Sequence, residues 1–492
     1  MCCQVIDTIH KGVSMNKSGI SVLLWASLAL LMSLLLITAV QAAPAEASPM
    51  SARLAAQSPA IKVLRGPMLH FLADPSQTPR LEDAVQYFED GMLIVRNGVV
   101  EKFGPASTLK ASVPAGVAIE KVAKDQLLLP GFVDTHIHYP QTEMIGAYGE
   151  QLLDWLKKYT FPTEGQFKDR THARKIAGIF LKELLKNGTT TALVFGTVHK
   201  ESVDVLFEKA SDLDMRLIAG KVMMDRNAPD YLLDTPTSSY EDSKALIKKW
   251  HHRGRLLYAI TPRFAPTSSP GQLEMAQKLK QEFPDVYVHT HLSENLGEVE
   301  WVKSLFPERS GYLDVYDHYQ LTGRRAVFAH GVHLTDAEFS TLAKTDSAIA
   351  FCPTSNLFLG SGLFKFDKAK SSGVKVGLGT DVGAGTSFSH FETMGEAYKI
   401  MQLQGRKLSA YESFYLATLG GAKSLDLQDK IGNLQSGKEA DFVILNLAAS
   451  DLGRLRLSTS KTLEEKLFVL MTIGDDRNVA STYVAGRKVY GP

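Results

Sequence analysis

The sequence predicts an α/β protein: a parallel (β/α)8 barrel in the middle of the chain, with a small β domain assembled from its two ends. Two observations carry this reading. Short apolar, strand-like stretches alternate eight times with stretches of helical periodicity through the central part of the chain, the pattern of repeated βαβ units closing into a barrel. On either side, the chain holds only strand and turn signals.

Taken in order, the chain begins with an export signature. Met15 opens a short basic segment, "MNKSG", followed by the uncharged run "ISVLLWASLALLMSLLLITAV" from Ile20 to Val40 and the small-residue stretch "QAAPAEASP". A positive flank, an apolar run and a small-residue exit read as a secretory signal over residues 1–42, cut after Ala42 or Ala43. The chain is expected outside the inner membrane, in the periplasm. The apolar run is long enough to approach a bilayer span. An uncleaved anchor is therefore the alternative, and a cytoplasmic protein follows if the start is misplaced. Membrane contact is expected only through this segment.

Residues 61–128 read as strands and turns. In "GMLIVRNGVVEKFG", two apolar runs flank Asn97-Gly98, a strong hairpin signal. The other end, residues 437–492, is similar: "KEADFVILNL" and "ASTYVAGRKVYG" read as strands, the second turning at Ala485-Gly486. The barrel is assigned to residues 129–436. Its candidate strands are "QLLLPGFVDTHIH", "TTTALVFG", "MRLIAGKVMM", "RLLYAITPRFAP", "DVYVHTHLSE", "RAVFAHGVH", "SAIAFCPTSN" and "VKVGLGTDVGAG". Between them lie segments such as "RKIAGIFLKELLKNG", apolar on one face and closed by Asn187-Gly188, a C-cap signal.

Composition narrows the function. Lys+Arg is 54 and Asp+Glu is 53, a net charge of +1, which gives no basic surplus for nucleic acid. Cys2, Cys3 and Cys352 are the three cysteines. They form neither a disulfide framework nor a zinc-ribbon spacing, and Cys352 reads as a free thiol in or near the core.

The strand ends carry the chemistry. His136 and His138 stand at i and i+2 and so share a face. His289 and His291 end the fifth strand, His330 the sixth and Asp381 the eighth. In such a barrel these ends converge on the functional mouth. Any one of these residues alone fits a wet loop, but their coincidence at one face points to a metal site. Spacing does not say whether His289 or His291 ligates.

The stretches "PGFVDTHIH", "HTHLSEN", "AHG", "CPTSNLFL" and "GLGTDVGAG" resemble the amidohydrolase superfamily in its aminohydrolase branch. More narrowly, "PQTEMIGAYGEQLLDWLKKYTFPTE", "TPRFAP" and "LATLGGAKSLDLQDKIGNLQSGKEADF" resemble the guanine deaminases. The resemblance implies a distorted barrel with a composite β-sandwich, a purine as small-molecule substrate, a homodimer, and one catalytic Zn2+ held by His136, His138, His291 and Asp381. It selects His291 as the ligand because that residue stands immediately before "LSEN", and makes His289 a structural neighbour. Superfamily members with two metals carry a modified lysine at the end of the fourth strand. Here that strand reads "YAITPRFAP", without lysine, so one metal is expected.

The reaction implied is hydrolytic removal of the 2-amino group of guanine, giving xanthine and ammonia. Asp381 would take the water proton and pass it to the leaving group. Glu294, three residues past His291, would protonate N3 and must start protonated. His330 would polarise the water and steady the developing oxyanion. Arg263 suits the O6 and N7 edge, Gln141 the ring edge and Phe264 the flat face. Each has a plainer reading: a surface arginine, a loop glutamine, a core phenylalanine and, for Glu294, a helix cap behind Ser293. Trp155 reads as helix packing. The rivals are a zinc aminohydrolase or chlorohydrolase for another amino-heterocycle, and an exported purine-binding protein without turnover.

Overall fold

The computed structural model describes residues 61–491; the expected export segment and its expected cleavage point lie outside them. The chain opens with β1 (Ile61–Phe71), β2 (Val85–Arg96) and β3 (Val99–Pro105), an antiparallel meander. Asn97 and Gly98 join β2 to β3 at φ 51° and 80°. Two consecutive positive φ values make the tight turn that matches strand twist, as the Asn-Gly pair predicts. Two short strands, β4 (Ile119–Lys121) and β5 (Gln126–Pro130), run parallel to β1.

The barrel strands follow: β6 (Phe132–His138), β7 (Thr189–Phe195), β8 (Arg216–Gly220), β9 (Val222–Met223), β10 (Leu256–Pro262), β11 (Tyr287–Leu292), β12 (Ala326–His330), β13 (Ala348–Phe351) and β14 (Lys375–Leu378). Their order is β6-β7-β8-β10-β11-β12-β13-β14, parallel at every step, with β9 beside β10. Nearly every residue of these strands is buried, as befits parallel strands covered on both faces. The helix Arg170–Lys186 ends as its sequence predicts, at Asn187 and a Gly188 with φ 80°.

Three strands from the far end complete the terminal domain: β15 (Phe442–Asn446), β16 (Val479–Val484) and β17 (Arg487–Tyr490). The sheet order is β17-β16-β15-β5-β1-β2-β3. The β5–β15 ladder, with Leu128 opposite Ile444, stitches the two chain ends together. The expected sandwich is a single continuous sheet. It curls until Val99 bridges Glu439, around a core that includes Leu64, Met68, Leu93, Leu128, Phe442 and Tyr483.

The structure divides two of the predicted strands. "QLLLPGFVDTHIH" is β5 in the terminal sheet and β6 in the barrel. The break falls at Gly131, where a Cβ would lie 2.1 Å from the Thr190 hydroxyl. "MRLIAGKVMM" breaks at Lys221 into β8 and β9. No ladder joins β14 to β6. That seam is closed by the Asp381 amide donating to the His136 carbonyl (2.9 Å) and the His138 amide to the Val382 carbonyl (2.8 Å). The seam therefore sets Asp381 beside the two histidines of β6. No helix among the described residues is long and apolar enough to cross a membrane.

Candidate active site

The barrel brings all the predicted site residues to one mouth. His138, Gln141, Arg263, Phe264, His291, Glu294, His330 and Asp381 line one pocket, closed on its apolar side by Leu152, Trp155, Leu156, Leu359 and Ala384. His136 lies just beneath and is fully buried. Trp155, read from sequence as helix packing, is a wall of this pocket.

The metal-type cluster sits at the seam. His138 Nε2 is 3.2 Å from His136 Nε2 and 3.2 Å from His291 Nε2. Asp381 Oδ1 is 3.2 Å from His136 Nε2 and 3.4 Å from His138 Nε2. His291 Nδ1 lies 2.7 Å from the Arg263 carbonyl. A carbonyl cannot donate, so the proton is on Nδ1 and Nε2 presents a bare lone pair. His136 Nδ1 is engaged by His289 Nε2 at 2.7 Å, which leaves Nε2 facing the cluster and makes His289 a support. Three ring nitrogens and a carboxylate oxygen thus face one another with more lone pairs than protons. Ligand atoms held tetrahedrally about 2.0–2.2 Å from one cation are roughly 3.3–3.6 Å apart, so the donor set, spaced slightly closer at 3.2–3.4 Å, fits a metal of the zinc type. Burial lowers the pKa of His136, drops His138 to about 3, and holds His291 well below the usual histidine value. Neutral imidazole is the form that ligates. Burial alone would raise Asp381, but the imidazoles of His136 and His138 beside its carboxylate hold it well below the ordinary carboxylate range.

Two features, one of the backbone and one of a side chain, make the close packing possible. Gly379, between β14 and Asp381, has no room for a side chain: a Cβ there would lie 2.9 Å from Cys352 Sγ and 3.0 Å from His136 Cβ. Asp134 fastens the seam, accepting the amides of His136 (3.2 Å) and Thr380 (3.1 Å) and the Thr380 hydroxyl (2.5 Å). Cys352 is the expected buried free thiol.

Glu294 faces the cluster. Its carboxyl is 3.4 Å from His330 Nε2 and accepts from the Ser361 hydroxyl at 3.2 Å. Burial, then the charge of Asp381, pushes its pKa up to about 8. The helix-cap reading of Glu294 fails. Asn295 caps the helix Leu296–Leu305, with Glu298 completing a capping box. Ser293 stands at φ 49°, outside the extended conformation of an N-cap. Glu298 instead holds Glu294 in place, taking its backbone N–H at 2.8 Å and the Tyr312 hydroxyl at 2.6 Å. His330 stands at φ 71° and Asp381 at φ 51°, strained positions for residues with side chains. His330 Nδ1 meets Asn356 Oδ1 at 3.0 Å, and its Nε2 lies 3.8 Å from Asp381.

Across the pocket, Arg263 is buried and donates through Nη1 to Glu164 at 2.7 Å. Gln141 donates to the other oxygen of Glu164 at 3.0 Å and accepts the Gly383 amide at 3.3 Å. Sequence reading assigned no role to Glu164, Glu298, Asp134 or Asn356. Glu164 and Asn356 close the quoted stretches "TFPTE" and "CPTSN", but nothing in spacing alone gives a supporting residue its partner. The buried pair Lys221–Asp234 ties down the lysine at the break between β8 and β9.

The comparisons with known proteins follow this geometry. The model of the amidohydrolase family matches residues 127–489. A guanine deaminase of Escherichia coli (strain K12) is 59% identical over 430 residues, covering 87% of this chain and 98% of that protein. The solved structure titled E. coli guanine deaminase superposes with a TM-score of 0.86, covering 87% of this chain and 99% of that one. Guanine deaminase from C. acetobutylicum, solved with guanine bound in the active site, is 30% identical with a TM-score of 0.79, covering 87% and 100%. This chain belongs to the amidohydrolase family and, within it, to the guanine deaminases.

Proposed function

We propose that the chain hydrolyses guanine to xanthine and ammonia with one zinc ion held by His136, His138, His291 and Asp381. The observation that carries this reading is a buried carboxyl, Glu294, 3.4 Å from His330 and facing a four-ligand cluster, in a pocket whose wall holds a fixed arginine and glutamine. A binding protein needs no such acid. Lys221 is tied to Asp234 and the Val222 carbonyl and is not free to bridge a second metal.

A zinc ion held by His136, His138, His291 and Asp381 would lower the pKa of water toward neutrality and so supply the nucleophile. Asp381 takes the proton released from the attacking water. His330, between Glu294 and Asp381, steadies the oxygen as it attacks C2. Glu294 donates its proton to N3 as C2 becomes tetrahedral, so negative charge does not build on the ring. The proton on Asp381 passes to the amino group, the C2–N bond breaks and ammonia leaves, while the C2 hydroxyl returns its proton to Glu294 as the C2 carbonyl forms. Arg263 and Gln141 hold the oxo edge of the base, Phe264 and Trp155 wall its faces, and Leu152, Leu156 and Leu359 exclude bulk water.

The test is ammonia release by the purified, zinc-loaded chain from a panel of purines and amino-triazines. Guanine is the preferred substrate on this reading. Selective turnover of another heterocycle would replace guanine and leave the mechanism, while tight purine binding with no ammonia would reject both. We propose in addition that the chain is exported and works as a homodimer. The supports are the leader pattern ahead of Ile61 and the family's assembly as the resemblance implies it.

A further inference from the structure

The segment between β6 and the helix Arg170–Lys186 holds a buried carboxylate that stands behind the pocket wall rather than lining the pocket. Glu164 is 1% exposed and is not among the pocket's lining residues. Its two oxygens are divided between the two polar residues of the recognition wall, Oε2 with Arg263 Nη1 at 2.7 Å and Oε1 with Gln141 Nε2 at 3.0 Å. The same short helix, Phe161–Gly165, places Phe161 under the Arg263 guanidinium, 5.6 Å from ring centre to Cζ. A π-helical turn, Leu156–Thr160, immediately precedes it. Such turns shift the register of a helix and occur disproportionately at functional sites. Here the turn lies between Trp155, which faces the pocket, and Glu164, which stands behind it.

We infer that Glu164 is a positioning residue that sets base selectivity: it fixes the donor pattern that Arg263 and Gln141 present to the purine. The inference rests on the guanine reading above. A side-chain amide can stand in two orientations that differ by exchange of its oxygen and nitrogen. Gln141 has no such freedom. Its oxygen accepts the Gly383 amide at 3.3 Å and its nitrogen must donate to Glu164, which as a carboxylate only accepts. One N–H and one oxygen lone pair remain for the base, in a single order. Guanine offers an acceptor at O6 and a donor at N1; 2,6-diaminopurine offers a donor at its 6-amino group and an acceptor at N1, the reverse order. Both carry the 2-amino group that leaves. A buried ion pair is weak evidence of stabilisation in itself, because desolvation offsets the Coulomb gain. What Glu164 supplies is orientation.

The experiment compares guanine and 2,6-diaminopurine on the wild-type chain, Glu164→Gln and Glu164→Asp, with metal content and melting temperature measured on each preparation. For a base that is not turned over, the inhibition constant replaces kcat/KM. Glutamine at position 164 has only one oxygen for two donors, so it releases either Arg263 or the Gln141 amide. The expected result for Glu164→Gln is metal content equal to wild type, a KM for guanine at least about tenfold higher, a smaller change in kcat, and a preference for guanine over 2,6-diaminopurine reduced at least about tenfold. Glu164→Asp keeps the charge with a shorter reach and gives an intermediate preference; it serves alone if the glutamine variant does not fold. Equal losses on both bases would mark Glu164 as purely structural and overturn the inference, as would an unchanged preference in both variants. A wild-type chain that releases no ammonia from guanine overturns the underlying reading instead.

Discussion

Glu294 carries two meanings in the sequence, and the folded chain separates them. By resemblance it reads as the proton donor to N3, and by local pattern as a helix cap behind Ser293. In the folded chain the cap is Asn295 with Glu298, and Glu294 turns into the pocket beside His330. Two outcomes follow. Glu294→Gln keeps the shape but cannot deliver a proton, so metal content and melting temperature should hold while turnover falls at least about 10²-fold; near-normal turnover would return the residue to a structural role. The acid must also start protonated. With its pKa at about 8, the protonated fraction falls as pH rises through that value, so kcat/KM for guanine should decline on the alkaline side of about 8. A profile flat across that range would show that the proton comes from elsewhere. The ligand-type residues were legible in the sequence because strand-end position and period-two spacing fix where a side chain points. Their supports were not. Asp134, Glu164 and Asn356 act through hydrogen bonds that reach residues 23 to 246 positions away, and no local pattern encodes such pairs.

At the scale of elements, most strands and turns were legible because their signals are local: the Asn97-Gly98 turn, the Asn187-Gly188 helix end, and the apolar runs of parallel strands. The breaks within "QLLLPGFVDTHIH" and "MRLIAGKVMM" were not, because an uninterrupted apolar run does not say which sheet it joins; crowding at Gly131 decides the first. The terminal sheet carries its own pH dependence. His70 on β1 is 1% exposed, with Nδ1 accepting the Leu434 amide at 3.0 Å and Nε2 meeting Gln86 Oε1 at 2.8 Å. That pattern needs the neutral ring. Burial, reinforced by the charge of Lys438, lowers its pKa to about 4. The unfolded chain therefore binds this proton first as pH falls. Stability is full above about 6.5 and is lost toward about 4, by roughly 3 kcal/mol for the complete titration. His251, also lowered to about 4 by burial, adds to the same limb. Urea midpoints across this range should fall less steeply for His70→Gln than for wild type; parallel curves would remove His70 from the acid limb.

At the scale of the whole molecule, the barrel gathers residues 136 to 381 at one mouth, while the sheet joins residues more than 300 positions apart. The first was legible as an alternation of strands and helices. The second was legible only as two β-rich ends, since pairing between distant strands leaves no periodicity in either. The proposed export bears on where the chain works. N-terminal sequencing of the native protein should begin at Ala43 or Pro44, and a native chain retaining Leu28 to Leu36 would contradict cleavage. The central claim, a mononuclear metal-dependent guanine deaminase, is tested most directly by titrating the metal-free chain with zinc while following conversion of guanine to xanthine. Activity should rise linearly and stop at one zinc per chain, with one ammonia released per xanthine formed. Full activity without metal, a break at two zinc ions per chain, or no xanthine at any loading would contradict it.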